Sequence, residues 1–166
     1  MNSNDLFKTD QLNFILQNEA VEHFLNNELS EQHLHQVVLN SLEKVITFYD
    51  NDFSAVEITL RIVDTEEAQE LNHQYRQKDY ATNVLTFEYG IDTTNTLRAD
   101  IVICAPVVQK EALEQAKIFS DHFTHLLVHG TLHALGFDHD SDDEAQEMEA
   151  LEIEILAQFQ IKNPYL

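Results

Sequence analysis

Cationic side chains are scarce in this chain of 166 residues. Nine Lys plus Arg stand against thirty Asp plus Glu, for a formal charge of −21. Such a balance repels phosphates and, taken alone, speaks against a broad nucleic-acid footprint. Cysteine is scarcer still: a single Cys104 excludes an internal disulfide and fits a reducing cytosol. Its apolar strand context reads as that of a small buried hydrophobe. Three glycines and two prolines leave few places for a break, and no repeat, linker or low-complexity tract stands out. No apolar run approaches the ~18–20 residues that a membrane span needs. The opening MNSNDLFKTD has neither a basic nor an apolar region of the kind a signal peptide carries.

What is present is enough for a core. Hydrophobic residues make up 43% of the chain, with ten Phe and five Tyr, which excludes disorder despite the charge. The length suits one domain over residues 1–166, able to bury roughly 68–70% of its unfolded surface. Residues 11–18 read as a short first strand. Ser30 caps a helix carrying Leu34, Val37, Val38, Leu42, Val45 and Ile46 at helical spacing. From 55 to 63 the chain alternates, with Val56, Ile58, Leu60 and Ile62 on one face of a half-buried strand. Asp64 or Thr65 caps a helix that reaches about Arg76. Strands follow at 84–89 and 99–104, joined by a polar loop at 90–96, and the run Ile101, Val102, Ile103 predicts a central strand covered on both faces. Helices are predicted over 106–119, from Ser120 or Asp121 to Leu135, and over about 141–160, the last opened by a capping box of Ser141 and Glu144. Strands early and helices late read as an α+β fold, a small mixed sheet of about four strands packed with helices.

Five of the nine histidines, His122, His125, His129, His133 and His139, fall within 18 residues. Three have ligand spacing, in His129-Gly130-Thr131-Leu132-His133-Ala134-Leu135-Gly136-Phe137-Asp138-His139. Positions four apart share a helical face, so His129 and His133 can converge on one ion at ~2.0–2.1 Å each. Gly136 permits the positive φ that turns the chain back, and His139 arrives from outside the helix. Three neutral imidazoles leave a fourth position open, the arrangement of a catalytic zinc. Scattered surface or core histidines are the bland alternative, and two plus a glycine plus a third at this spacing count against it. The spacing is that of the metzincin proteases, with one substitution: Gly130 stands where those enzymes carry a glutamate base. The metal cage is zincin-like, and the peptide-hydrolysis base is missing.

Upstream lie two further blocks, Leu71-Asn72-His73-Gln74-Tyr75-Arg76-Gln77-Lys78-Asp79-Tyr80-Ala81-Thr82-Asn83-Val84-Leu85-Thr86-Phe87 and Ala99-Asp100-Ile101-Val102-Ile103-Cys104. With the histidine motif they make the chain resemble the YbeY family of single-strand endoribonucleases, known for maturing ribosomal RNA in bacteria. The likeness extends to Asp142-Asp143-Glu144 and Met148-Glu149. It implies that His129, His133 and His139 hold one Zn2+ per chain and that Arg76 is the functional basic residue. It also implies a cytoplasmic enzyme acting at the 16S rRNA 3′ end and in ribosome quality control. Its partners would be single-stranded RNA and the ribosome or its proteins, with no DNA and no membrane, and the protein a monomer. Ala81, Ala99 and Phe137 depart from the family's usual Pro, Gly and Tyr, and none removes a ligand.

The residues carry their own reading. A guanidinium at Arg76 can grip a phosphate bidentately, against the plainer possibility of an Arg-Asp pair at a helix end. Lys78 and Asn83 are the further substrate-binding candidates, Asn83 being otherwise a turn or cap residue. Arg76, His129 and His133 are the expected catalytic residues. Asp100 is a candidate outer acceptor for a ligand histidine, or an ordinary strand-end Asp. Asp138 and Asp140 flank His139 and can orient its ring. His125, a turn before His129, stays outside the site. The nine carboxylates of 138–154 read as a solvated face. Two other functions remain: a metallopeptidase with an atypical base, and a ribosome-associated binding protein with a structural zinc.

Overall fold

The computed structural model describes residues 11–166. The opening segment read for a signal peptide lies outside them. Strands β1 (Leu12–Asn18), β2 (Ala55–Val63), β3 (Val84–Ile91) and β4 (Thr96–Cys104) form one sheet in the order β1-β2-β4-β3. β1, β2 and β4 run parallel, and β3 lies antiparallel at the edge. The α+β expectation with a mixed four-stranded sheet holds.

Five helices cover the sheet: α1 (Glu31–Phe48), α2 (Thr65–Arg76), α3 (Ala105–Glu114), α4 (Phe119–Ala134) and α5 (Asp142–Ala157). The alternation in β2 sends Val56, Ile58, Leu60 and Ile62 into the main core with Ile101 and Ile103 of β4, against α1, α4 and α5. Val102 faces the other way, into a smaller cluster with Ala68 of α2, Leu85 and Cys104. β4 is thus covered on both faces, as its apolar run predicts. Cys104 is buried, and burial pushes its thiol up, so it acts as a small hydrophobe. Among the described residues no helix is long and apolar enough to cross a membrane.

Several boundaries differ from the sequence pattern, each for a local reason. The loop expected at 90–96 shrinks to four residues. Asp92 Oδ1 accepts from the backbone N–H of Thr94 and Thr96, Asn95 takes a left-handed conformation at φ 61°, and both strands extend toward the turn. α3 stops at Glu114, not 119. Ala116 is left-handed at φ 55°, and Lys117 N–H donates to Ala112 O at 2.8 Å, a closure usually made with glycine. α5 likewise ends at Ala157, where Gln160 turns at φ 58°. Ser30 caps α1 through the His33 N–H, as expected. Ser141 Oγ accepts from Glu144 N–H, although Glu144 does not reach back. Asp64 occupies the α2 cap position, but its carboxylate accepts from Val21 N–H instead.

Candidate metal centre

The site forms where α4 ends. His129 and His133 lie on one face of α4, and the helix closes with both bonds of a Schellman motif: Gly136 N–H to His133 O and Phe137 N–H to Leu132 O, each 3.0 Å. Gly136 sits at φ 99°, which a side chain rarely tolerates, and this turn returns His139 toward the helix. The three rings meet, with centroids 4.6 Å apart for His129–His133, 5.0 Å for His133–His139 and 5.6 Å for His129–His139.

The donor set fits a tetrahedral ion. One ring nitrogen from each of the three lies within 4.8 Å of the others. Nε2 of His129 and Nε2 of His133 are 3.1 Å apart. Two nitrogens each ~2.0–2.1 Å from one tetrahedral ion stand about 3.3 Å apart, so the spacing is nearly that of two ligands. Burial and the two neighbouring rings hold His133 below the ordinary imidazole value, which keeps its lone pair available.

A cavity of about 440 Å³ opens at this cluster, lined by the three histidines, Arg76, Asn83, Glu88, Asp138 and Asp140 among others. Arg76 is the last residue of α2, and left-handed Gln77 (φ 58°) ends the helix there. Buried Asn72 donates to Tyr80 O at 2.8 Å and pins the loop that follows. Among the described residues Arg76 makes no ion pair: the Asp79 carboxylate accepts from Gln69 Nε2 instead, so the plain Arg-Asp pairing does not form. Lys78 is exposed and is not part of the cavity wall. Asn83 is part of it, but its amide donates to Glu111 at 3.1 and 3.3 Å, and Glu111 also accepts from His122 of α4 at 3.0 Å.

One family model matches most of the chain, residues 17–160, and its description is Endoribonuclease YbeY. The chain belongs to that family. Similar proteins include Endoribonuclease YbeY of Bordetella avium, 58% identical over 115 residues, which are 69% of this chain and 71% of that protein. Endoribonuclease YbeY of Delftia acidovorans is 52% identical over 138 residues, 82% of this chain and 89% of its own. A Thermotoga maritima protein with a solution structure is 22% identical and shares the fold, at a TM-score of 0.55 over 90% of this chain and 91% of that one.

Within this YbeY-family site, the acidic run of 138–154 needs a correction. It is not wholly a solvated face, because Glu152 is 1% exposed. Glu152 Oε1 accepts from His129 Nδ1 at 3.3 Å and from His125 Nε2 at 2.7 Å, so it sits directly behind one histidine of the cluster. Burial raises its carboxyl, but the hydrogen bonds from His125 and His129 outweigh that and hold it at about 2. The signal lay in helical phase: Glu152 follows Met148 by four positions and precedes Ile155 by three, on the buried stripe of α5. His125 lies outside the ligand set but shares this carboxylate. Two other orienting roles are also corrected. Asp100 Oδ2 accepts from the Tyr89 hydroxyl at 2.9 Å, not from a histidine. Asp138 Oδ1 accepts the backbone N–H of His139 at 2.8 Å, not its ring.

Gly130 has a packing explanation. A Cβ there would stand 2.9 Å from Ile101 Cγ2 and 3.3 Å from Thr86 Oγ1, so α4 lies too close to β4 and β3 for any side chain. The position that carries a glutamate in the metzincin pattern is closed against the sheet. Gly130→Ala tests this. Helix propensity alone would favour alanine by up to about 1 kcal/mol. The clash with a branched core side chain outweighs it, for an expected net loss of about 1–3 kcal/mol in urea unfolding.

Proposed function

We propose that this chain is a zinc-dependent, single-strand-specific endoribonuclease of ribosomal RNA maturation. His129, His133 and His139 hold one zinc, and Arg76 receives the scissile phosphate. The observation that carries the reading is the meeting of three imidazoles and an ion-pair-free guanidinium in one cavity. Zinc bound there supplies Lewis acidity for phosphodiester cleavage and a water of lowered pKa. Arg76 offers a planar fork to phosphate oxygens and neutralises charge that builds on them. Asn83 shapes the wall beside it, fixed by Glu111, and Lys78 guides the strand along the approach. Glu152 fixes His129 in the Nδ1–H tautomer, because a carboxylate only accepts, and so leaves Nε2 free to ligate. The chain works as one domain, a cytoplasmic monomer that meets its RNA on the ribosome.

The metallopeptidase reading has no support at Gly130, where the sheet leaves no space for a base. Incubating the zinc-loaded protein with unstructured RNA and with casein separates the two: RNA is cut and casein stays intact. Casein cleavage with intact RNA reverses the assignment.

The wall of the cavity sets a second expectation. One guanidinium faces Glu88, Asp138 and Asp140, and burial together with Asp138 raises the Glu88 carboxyl. Such a wall repels a phosphodiester unless a dication sits among the histidines. Intrinsic RNA affinity is therefore weak, metal-dependent and shallow in salt. For one or two phosphate contacts, log K falls with log salt at a slope of about −0.7 to −1.4 for a single strand. Fluorescence anisotropy across a salt series measures it, and a slope several times steeper contradicts so small a footprint.

A further inference from the structure

Glu152 is a carboxylate buried among helices, with no Lys or Arg among the described residues bonded to it. Its oxygens must be satisfied by neutral-type donors, and three reach it. His125 and His129 both donate to Oε1. The third is Tyr165, from the segment that follows α5. Its hydroxyl lies 3.1 Å from Oε1 and 3.0 Å from Oε2, and among the described residues it is the only side chain that bonds Oε2.

Tyr165 is itself held in three ways. Its backbone N–H donates to Asn163 Oδ1 at 2.9 Å. Lys117 Nζ, from the α3–α4 connection, donates to Pro164 O at 3.2 Å. The phenol ring stands edge-on to His125, with centroids 5.5 Å apart at 86°. The segment is therefore docked through Tyr165 on Glu152 and His125, and none of these three residues lines the cavity that holds Arg76.

We infer that Tyr165 is a positioning residue of the metal centre, acting through Glu152 on His129. The inference rests on the reading of His129 as a ligand. Of the bonds to Oε1, that to His125 is short at 2.7 Å and that to His129 is long at 3.3 Å. Removing the hydroxyl leaves Oε2 buried without a donor, which the carboxylate relieves by turning. The long bond to His129 is the one that gives. His129 then loses the acceptor that fixes its Nδ1–H tautomer, and its Nε2 is no longer held as a lone pair toward His133 and His139.

Tyr165→Phe keeps the ring on His125 and deletes only the hydroxyl. Competition with a chromophoric zinc chelator is expected to show an affinity about 10–100-fold weaker than wild type. Long-range 1H–15N spectra of the metal-free proteins provide the readout that a merely structural role does not move. Wild-type His129 is expected as Nδ1–H, and the variant as a mixture with Nε2–H. Lys117→Met, which frees the Pro164 carbonyl and spares the hydroxyl, should shift both measurements in the same direction by less. The inference is overturned if both variants bind zinc within twofold of wild type with an unchanged His129 tautomer, or if wild-type His129 is already Nε2–H. A wild-type protein that takes up no zinc would sink the metal reading instead, and the tautomer comparison would still decide the role of Tyr165.

Discussion

His133→Ala is expected to remove bound metal and RNA cleavage together. His133 is the centre of the histidine cluster by geometry: its ring is the closer neighbour of both others, and its Nε2 stands 3.1 Å from that of His129. Without it, His129 and His139 remain, with rings 5.6 Å apart, and two imidazoles do not close a tetrahedral site. Losing an outer hydrogen-bond partner alone weakens metal binding by about 10–100-fold, so losing a ligand costs more than that. Cleavage should fall to the level of chelator-treated wild type. Metal analysis of the purified variant beside a nuclease assay checks both. Half-buried His133 lies at the rim of the cavity, so truncation removes little core packing, and the melting temperature of the metal-free variant should stay near that of metal-free wild type. A variant that still holds one metal per chain contradicts the ligand assignment.

Arg76→Glu is expected to keep the metal and lose the chemistry. Among the described residues the guanidinium makes no hydrogen bond to the three histidines and no ion pair, so the metal site is expected to stay intact when it changes. The substitution puts a fourth carboxylate into a wall that already has three and removes its one cation. Loss of a single charge-stabilising donor in an active site costs about 10²–10³ in rate, and the reversed charge adds repulsion of the substrate. Some stability is lost as well, because a cation in the last turn of α2 complements the helix dipole, but this is only about 0.3–1 kcal/mol and cannot mimic such a rate loss. Arg76→Lys, which keeps charge without the planar fork, should fall between the two. Steady-state cleavage with parallel metal analysis distinguishes these outcomes. Normal cleavage by Arg76→Glu would remove the phosphate role.

The three-histidine cluster was legible because its rules are local. Helical periodicity places His129 and His133 on one face, and a glycine that can take φ 99° marks the turn that brings in His139. The strands of the sheet were legible through alternation in β2 and the continuous apolar run in β4. What sequence missed depends on neighbours distant in the chain. Glu152 is one of nine acids between 138 and 154, and only the burial of that face of α5 against α4 makes it an acceptor for His129. Asn83 is drawn off toward Glu111 by a contact across 28 positions. The ends of α3 and α5 escaped because Ala116 and Gln160 take left-handed turns that composition does not announce. The net charge of −21 suggested exclusion of nucleic acid, whereas the structure collects Arg76 and three imidazoles at one cavity on an acidic body.

The most direct test of a metal-dependent nuclease pairs metal analysis of purified protein with cleavage of unstructured RNA, before and after chelation and after zinc is restored. One zinc per chain is expected, with cleavage that disappears with the chelator and returns with the metal. Undiminished cleavage by fully metal-free protein would contradict the metal dependence.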